Sequence, residues 1–344
     1  MGKRYREITV HGSSFEMGRQ IGEEAREEIR GFTAIALERV NKTINISKNR
    51  AQFIARQSAV MAKKYAPDLI NELRGIEESS GIDIDELFFL QVRNQLSAEP
   101  KGGCTSFSST DANNSILAQN WDNDPALDPY TIVLTRQPEQ GPSFINITQA
   151  GLIGYIGFSE AGIGVCLNSL PAPSRDIGVP HYFTVRSIFG GCSLAEAIDA
   201  VDRAHRAIPA NIMLATPEGP ADMEITIDQV YIIQDPKIVT HTNHCIHPNL
   251  IPINNDFPEL IESSPRLKRV RKILGSEFTT VETAKIALKD HSGHPHSICR
   301  HSNDNPQTGF WVTVFSVIME VSKGRMHISR GNPCENTYET YSLA

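Results

Sequence analysis

The apolar pattern changes character near residue 100, and that change constrains the fold more than any other feature of the chain. Up to that point the spacing is helical. Ser13-x-x-Glu16 has the form of a capping box. It opens a long amphipathic run with Ile21, Ile29, Phe32, Ile35 and Val40 at roughly helical intervals. A second helix is expected over 50–65. Pro67 starts a third, with Leu69, Ile70, Leu73 and Ile76 on one face. Asp83-x-x-Glu86 opens a fourth that ends near Leu96. After residue 103 the runs become short and β-prone: CTSFSS, SILAQNW, YTIVLTR, SFINITQ, LIGYIGF and GIGVCLN. Turn formers separate them (DANN, Gly141-Pro142, Glu160-Ala161-Gly162). The gaps are too short for parallel crossovers, so antiparallel hairpins are expected. Helix returns at Ser193–Ala204, strands follow at about 211–216, 222–227, 229–234 and 237–242, and two more helices fit 265–274 and 280–290. The chain closes on a hairpin, WVTVFSVIMEV and RMHISR about Ser322-Lys323-Gly324. Antiparallel strands with segregated helices indicate a layered α+β fold.

Composition excludes some classes of function. Hydrophobic residues make up 40% and charged residues 21% of the 344, as in ordinary globular proteins. A formal net charge of −7 argues against nucleic-acid binding by phosphate neutralisation. No run approaches the ~20 apolar residues of a membrane span. The start, MGKRYREITVHGSSF, lacks the apolar core of a secretory signal, and Arg6 stands where myristoylation wants Ser or Thr. A cytoplasmic location is therefore expected, in which the Asn-x-Ser/Thr sites at Asn41, Asn45, Asn113 and Asn146 carry no meaning. The six cysteines (104, 166, 192, 245, 299 and 334) form no CxxC pair and are expected to be free thiols, with Cys166 in a buried strand.

The junction itself reads Lys101-Gly102-Gly103-Cys104-Thr105-Ser106-Phe107. Gly-Gly-Cys is a common tripeptide, but here it stands on the boundary between the helical and β-rich parts. Glycine tolerates strained backbone and leaves its carbonyl unshielded. The Cys104 thiol can attack the Gly103 carbonyl, giving a thioester that water hydrolyses. Cys104 would then carry both a thiol and a free α-amine. The reference pKa values of those groups are about 8.5 and about 7.7–8.0, so the amine can take the thiol proton near neutrality. A nucleophile with its own base needs no histidine.

The run GGCTSFSSTDANNSILAQNWDND resembles the processing site of the acyl-coenzyme A:6-aminopenicillanic acid acyltransferase family, a branch of the N-terminal-nucleophile (Ntn) hydrolases. Phe15–Gly22 resembles that family's opening helix, and His241-Thr242-Asn243-His244 and Ser297-Ile298-Cys299-Arg300-His301 resemble its later blocks. The similarity covers nearly the whole chain. Altered forms of the Cys104 and Asp122 blocks also occur in bile-salt hydrolases and acid ceramidases. The resemblance implies a four-layer αββα sandwich with antiparallel sheets. It implies a mostly helical pro-part over 1–103 and a nucleophile-bearing part over 104–344, cleaved at Gly103–Cys104 but staying associated as one unit. By the same resemblance Cys104 is the nucleophile, Asp122 the acid beside the free amine, Asn243 the oxyanion donor and Arg300 a late active-site cation. A hairpin joining Cys104–Phe107 to Ile116–Asp122 would return the aspartate to the cysteine. Asn120 and Trp121 are read as supports for that strand pair.

Acyl transfer from a small N-acyl amide or an acyl thioester, to water or an amine, is the expected chemistry, with no cofactor and no metal. The alternatives are an acyl-coenzyme A-dependent N-acyltransferase, a metal-dependent hydrolase and a non-catalytic binding protein; a homo-oligomer is left open. Histidines cluster in HTNHCIH and HSGHPHSICRH. In a strand, His241, Asn243, Cys245 and His247 would share one face and His244 would point away, which suits zinc poorly. The basic run Arg266–Lys272 reads as a solvated helix face, with coenzyme A phosphates as the other option.

Overall fold

A computed structural model describes residues 4–96, 103–112, 114–257, 262–276, 278–306 and 309–343. Lys101 and Gly102 of the junction, Asn113 of the DANN turn and the Met1–Gly2 start lie outside the described residues.

The chain opens with a strand, β1 (Arg6–Gly12), that the sequence reading missed behind its basic residues. Ile8 and Val10 alternate inward along it. The capping box then forms: Ser13 accepts from the Glu16 N–H, and the Glu16 carboxylate accepts from the Ser13 N–H at 3.0 Å. The expected long run divides at Ala25 (φ −103°) into α1 (Ser14–Glu24) and α2 (Arg26–Val40). Next come α3 (Lys48–Tyr65), α4 (Pro67–Ser80), ended by Gly81 at φ 72°, and α5 (Ile84–Val92). α1 and α4 cross with backbone against backbone. A Cβ on Gly18 would stand 2.0 Å from the Glu72 carbonyl oxygen, and one on Gly75 2.1 Å from that of Phe15. Neither neighbour is a side chain that could swing away, so both crossing points require glycine.

The strands follow as β2 (Thr105–Thr110), β3 (Ser115–Asn123), β4 (Thr131–Pro138), β5 (Phe144–Gln149), β6 (Ile156–Ser159) and β7 (Gly164–Asn168). Helices α6 (His181–Ile188) and α7 (Leu194–Asp202) precede β8 (Ala210–Thr216), β9 (Gly219–Ile225), β10 (Val230–Gln234) and β11 (Ile238–His241). Then come α8 (Ser263–Leu274), α9 (Val281–Leu288), β12 (Val312–Glu320), β13 (Arg325–Arg330) and β14 (Tyr338–Ser342). Two sheets result, ordered β1-β4-β5-β6-β7-β8-β9-β10 and β11-β2-β3-β12-β13-β14. Pairing is antiparallel as expected, except that β1 joins β4 in parallel. α6 and β14 lie outside the elements that the sequence indicates, and of LIGYIGF only the last three residues, Ile156, Gly157 and Phe158, are strand.

The inner faces of the sheets pack on each other, β2, β3 and β11 against β7, β8 and β9. α8 and α9 cover the outer face of the smaller sheet, burying Leu267, Val270 and Leu288 against Phe107, Ile116 and Ile318. α1, α2 and α7 lie against β4, β5 and β10 of the larger sheet. The order of layers is αββα, as expected. The N-terminal helices are tied in by charge as well. Glu72 of α4, fully buried, accepts from Arg136 Nε of β4 at 2.9 Å, and Arg136 also donates to Asn146 Oδ1 at 3.0 Å. Removing one partner of such a pair leaves a buried charge and costs about 3–5 kcal/mol.

Candidate active site

The β2–β3 hairpin pairs Thr105 with Asn120, so Gly103 and Cys104 run on beside Trp121 and Asp122. Successive side chains of β3 then serve different layers, as strand geometry requires. Gln119 bonds the Leu167 carbonyl and Asn168 Oδ1 of β7, joining the two sheets. Asn120 faces the helices and donates to the carbonyls of Leu288 and Ile298 at 2.8 and 3.0 Å. Trp121 Nε1 donates to the Tyr155 hydroxyl at 2.7 Å. Asp122 accepts from Thr313 Oγ1 at 2.7 Å.

Cys104 is held at each backbone polar atom. Its N–H donates to Asn243 Oδ1 at 2.8 Å, and its carbonyl accepts from Arg266 Nη1. Arg266 also donates to Asn243 Oδ1 at 2.9 Å and to Thr105 Oγ1 at 3.0 Å. The orientation of the Asn243 amide is fixed by these donors, so both of its N–H bonds go to Ser169, at 2.9 Å to Oγ and 3.1 Å to the carbonyl. Its backbone N–H donates to Ser263 Oγ at 2.7 Å. Arg300 joins through Thr313: its N–H donates to Thr313 Oγ1 at 2.9 Å, and the Thr313 N–H returns to its carbonyl at 2.9 Å. A Cβ built on Gly103 would stand 2.7 Å from Arg300 Nη1 and 3.1 Å from Asp122 Oδ2. The structure thus brings Cys104, Asp122, Asn243 and Arg300 together beside Gly103, where the close neighbours are side-chain ends rather than backbone.

Burial dominates the electrostatics. It pushes the Cys104 thiol up to about 12, and the neighbouring Asp122 charge adds to this; the Asp122 N–H, Arg266 and the Gln119 side chain pull the other way. Burial also raises Asp122, to about 7, against the lowering effects of Arg300, Arg266 and the Thr313 hydroxyl. Near neutrality the pair is therefore a protonated thiol beside a half-ionised carboxyl. A carboxyl able to accept a proton thus sits next to the thiol.

Cys104 opens onto a pocket of about 220 Å³. Trp121, Tyr155 and Trp311 supply aromatic wall, and Arg39 and Arg93 come from the N-terminal helical segment. Arg39 is paired with Asp124 at 3.1 Å, so that segment is part of the pocket wall. Burial lowers His181, also in the wall, to about 3, and its ring stays neutral.

Three site residues escape the sequence reading. Arg266 does not lie on a solvated helix face: it is 5% exposed and bonds Cys104. The signal is its helical spacing with Ser263, Leu267, Val270 and Leu274, the buried side of α8. Lys268, Arg271 and Lys272 do lie on the exposed side. Thr313 and Ser169 carry no such signal. The HTNHCIH reading is also corrected: β11 ends at His241, so strand alternation does not extend to His247. His241 is buried, with Nε2 at 2.8 Å from Glu224 Oε1 and Nδ1 at 2.8 Å from the Thr242 carbonyl.

Against known proteins, the chain is 26% identical over 344 residues to the acyl-coenzyme A:6-aminopenicillanic-acid-acyltransferase 40 kDa form of Emericella nidulans, covering 98% of this chain and 95% of that one. Among solved structures it is similar to a penicillin V acylase from Agrobacterium tumefaciens, at TM-score 0.45 and 12% identity over 66% of this chain and 83% of that one. It is also similar to a mutant conjugated bile acid hydrolase from Clostridium perfringens, at TM-score 0.44 and 10% identity over 70% of this chain and 97% of that one. The model of the family described as acyl-coenzyme A:6-aminopenicillanic acid acyl-transferase matches residues 109–335, more than half of the chain, and the match begins after Cys104. The chain belongs to the acyl-coenzyme A:6-aminopenicillanic acid acyl-transferase family.

Proposed function

We propose that the chain is a self-processing N-terminal cysteine amidohydrolase that acts on a small N-acyl amide through an acyl-Cys104 intermediate. One observation carries the reading: Cys104, in the lining of the pocket, has its nitrogen on Asn243, its carbonyl on Arg266 and its thiol beside Asp122.

In the first step the Asp122 carboxylate takes the thiol proton as sulfur attacks the Gly103 carbonyl. The C–N bond breaks, the proton passes to the departing nitrogen, and a Gly103 thioester remains on Cys104. Water then cleaves the thioester to a Gly103 carboxylate and a free thiol. Segment 1–103 becomes the helical pro-part and 104–344 the nucleophile-bearing part. The Glu72–Arg136 and Arg39–Asp124 contacts favour their staying together. In turnover the new α-amine takes the thiol proton and sulfur attacks the substrate carbonyl. The leaving amine carries that proton away, and water releases the acid. Asn243 is the donor proposed for the tetrahedral oxyanion, with its amide held in place through Oδ1 and the substrate oxygen replacing Ser169 as acceptor from Nδ2. Arg300, beside Gly103, is suited to a carboxylate.

Small size is supported by the pocket, whose roughly 220 Å³ falls below the ~300–1,000 Å³ of drug-sized sites. Hydrolysis ahead of transfer from acyl-coenzyme A is supported by the basic run. Arg266 is committed to Cys104 and Arg269 to Asp290, and the exposed Lys268, Arg271 and Lys272 do not line the pocket.

The test is an intact-mass spectrum with an activity assay. Wild-type protein should separate under denaturing conditions into 1–103 and 104–344, copurify natively, and hydrolyse a simple amide faster than the matching coenzyme A thioester. Cys104→Ala should stay a single inactive chain. Activity from an uncleaved wild-type chain would overturn the N-terminal mechanism. Faster use of the thioester, with acyl capture by an added amine, would make the protein an acyltransferase.

A further inference from the structure

A second cluster lies outside the pocket, where α9, the segment around Arg300 and the β13–β14 connection meet. His291, Cys299, His301 and Cys334 each offer one ligand atom, and the four atoms lie within 4.8 Å of one another. The two sulfurs are 3.6 Å apart, and the two Nε2 atoms 2.9 Å apart. His301 Nε2 is 3.3 Å from Cys334 Sγ and 3.8 Å from Cys299 Sγ. Tetrahedral zinc, with Zn–S of ~2.3 Å and Zn–N of ~2.0–2.1 Å, calls for edges of about 3.8 Å between sulfurs, about 3.6 Å between sulfur and nitrogen and about 3.4 Å between nitrogens. The sulfur–sulfur edge and both edges from His301 to sulfur fit to within about 0.3 Å. The imidazoles need to part by about half an ångström, and His291, whose edges to the sulfurs lie within 4.8 Å, needs to close on them by no more than about 1.2 Å.

We infer that these four residues form a structural zinc site. Two thiolates and two neutral imidazoles around Zn²⁺ sum to zero charge, which suits a cluster in which only His291 is exposed. On binding, the thiols of Cys299 and Cys334 release their protons to solvent, and no redox change takes place. The surroundings are those of metal ligands. Asn332 Nδ2 reaches Cys299 Sγ at 3.5 Å and also donates to the Arg300 carbonyl. Glu335 Oε1 lies 3.7 Å from His301 Nδ1, on the ring nitrogen that does not face the sulfurs. All four coordination positions are filled by protein, so the ion has no open site for substrate. Its effect is to fasten the chain on both sides of Arg300 to α9 and to the β13–β14 connection. The site departs from the expectation of a metal-free protein, and it does not depend on the role proposed for Cys104.

The test is metal content and cobalt spectroscopy on the full chain. Protein grown with zinc and purified without chelator should carry about one zinc per chain. Chelator-stripped protein titrated with Co²⁺ alone should show the thiolate charge-transfer and intense visible bands of a tetrahedral thiolate site. Cys334→Ser should abolish the charge-transfer bands or shift them strongly. His291→Ala, at an exposed position outside the packed core, should weaken zinc binding by at least about tenfold. Background zinc together with no cobalt bands in a folded wild-type chain would overturn the site. So would a mass lower by two hydrogens from a Cys299–Cys334 disulfide in freshly purified protein.

Discussion

Two thiol centres stand on either side of Arg300, and the same residue type meets opposite surroundings in them. Cys104 is enclosed by a carboxyl, two guanidinium groups and oriented amides, and its one open side is a pocket. Cys299 faces a second thiol and two imidazoles and lines no part of that pocket. In the proposed function the lone sulfur beside a carboxyl is the attacking group. Sulfurs that converge with imidazoles are arranged to be held. Arg300 is common to both, with its guanidinium toward Gly103 and its chain neighbours Cys299 and His301 in the other cluster.

The sharpest way to break this contrast is at Asn243. If it serves the attacking thiol, Asn243→Ala should slow turnover by roughly 10²–10³-fold, as loss of an oxyanion donor does. The cobalt spectrum of the other cluster should not change. Rates are to be compared on fully cleaved protein, so that slow processing is not mistaken for slow turnover. A variant with near wild-type turnover would remove Asn243 from the chemistry and leave it as a brace for the Cys104 N–H and Ser169.

A smaller effect should appear with pH. Burial raises Asp122 to about 7, with Arg300, Arg266 and Thr313 acting against it. The carboxylate is the form that accepts the thiol proton, so self-cleavage should rise as pH increases through about 7 and then level off. One unit below that midpoint the rate should fall about tenfold. Thr313→Val removes a hydrogen bond that favours the charged form, so the midpoint should move to higher pH. Pulse-labelled protein sampled on denaturing gels gives the rate at each pH. A profile that is flat from pH 5 to pH 8, or a Thr313→Val midpoint that moves down, would dismiss Asp122 as the base.

Legibility in the sequence followed distance along the chain. Cys104 and Asp122 lie on one hairpin, and alternating apolar residues with a turn between them suffice to bring them together. Asn243 and Arg300 came only through family resemblance, because no local pattern says that the end of β11 and the segment after α9 meet the hairpin. Arg266 was hidden by its neighbours. Five basic residues in seven suggest solvent, and only the phase of the helix shows that one of them is turned inward. The second cluster draws on three segments, 291, 299–301 and 334, so it has no spacing motif; the histidine-rich stretch was visible, but its partner Cys334 was not. β1 was missed for a different reason. It is an edge strand whose inward residues are only Ile8 and Val10, too few to outweigh its charges.

The smallest effect lies on the helix that serves both centres. α8 sends Arg266 to Cys104, and one turn on it sends Arg269 to Asp290, the residue before His291. Both arginines bond by charge, but their settings differ. Arg266 is buried among the polar groups around Cys104. The side chain of Arg269 is 35% exposed, and its contact with Asp290 is a two-point ion pair at 3.0 and 2.6 Å. Solvent screens a partly exposed pair of this kind, so it adds little to stability. Asp290 also keeps other bonds when Arg269 is removed: its Oδ1 accepts from the Ser292 N–H and its carbonyl from the Cys299 N–H. Arg269→Ala should therefore lower the thermal midpoint by about 2 °C or less and leave self-cleavage at the wild-type rate. Arg266→Met should impair cleavage. Calorimetry and gel kinetics on the two variants, side by side, separate the inward edge of α8 from its outward edge. If Arg269→Ala blocks cleavage as strongly as Arg266→Met, the two centres are not separate, and the outer cluster controls the position of Cys104 through this helix.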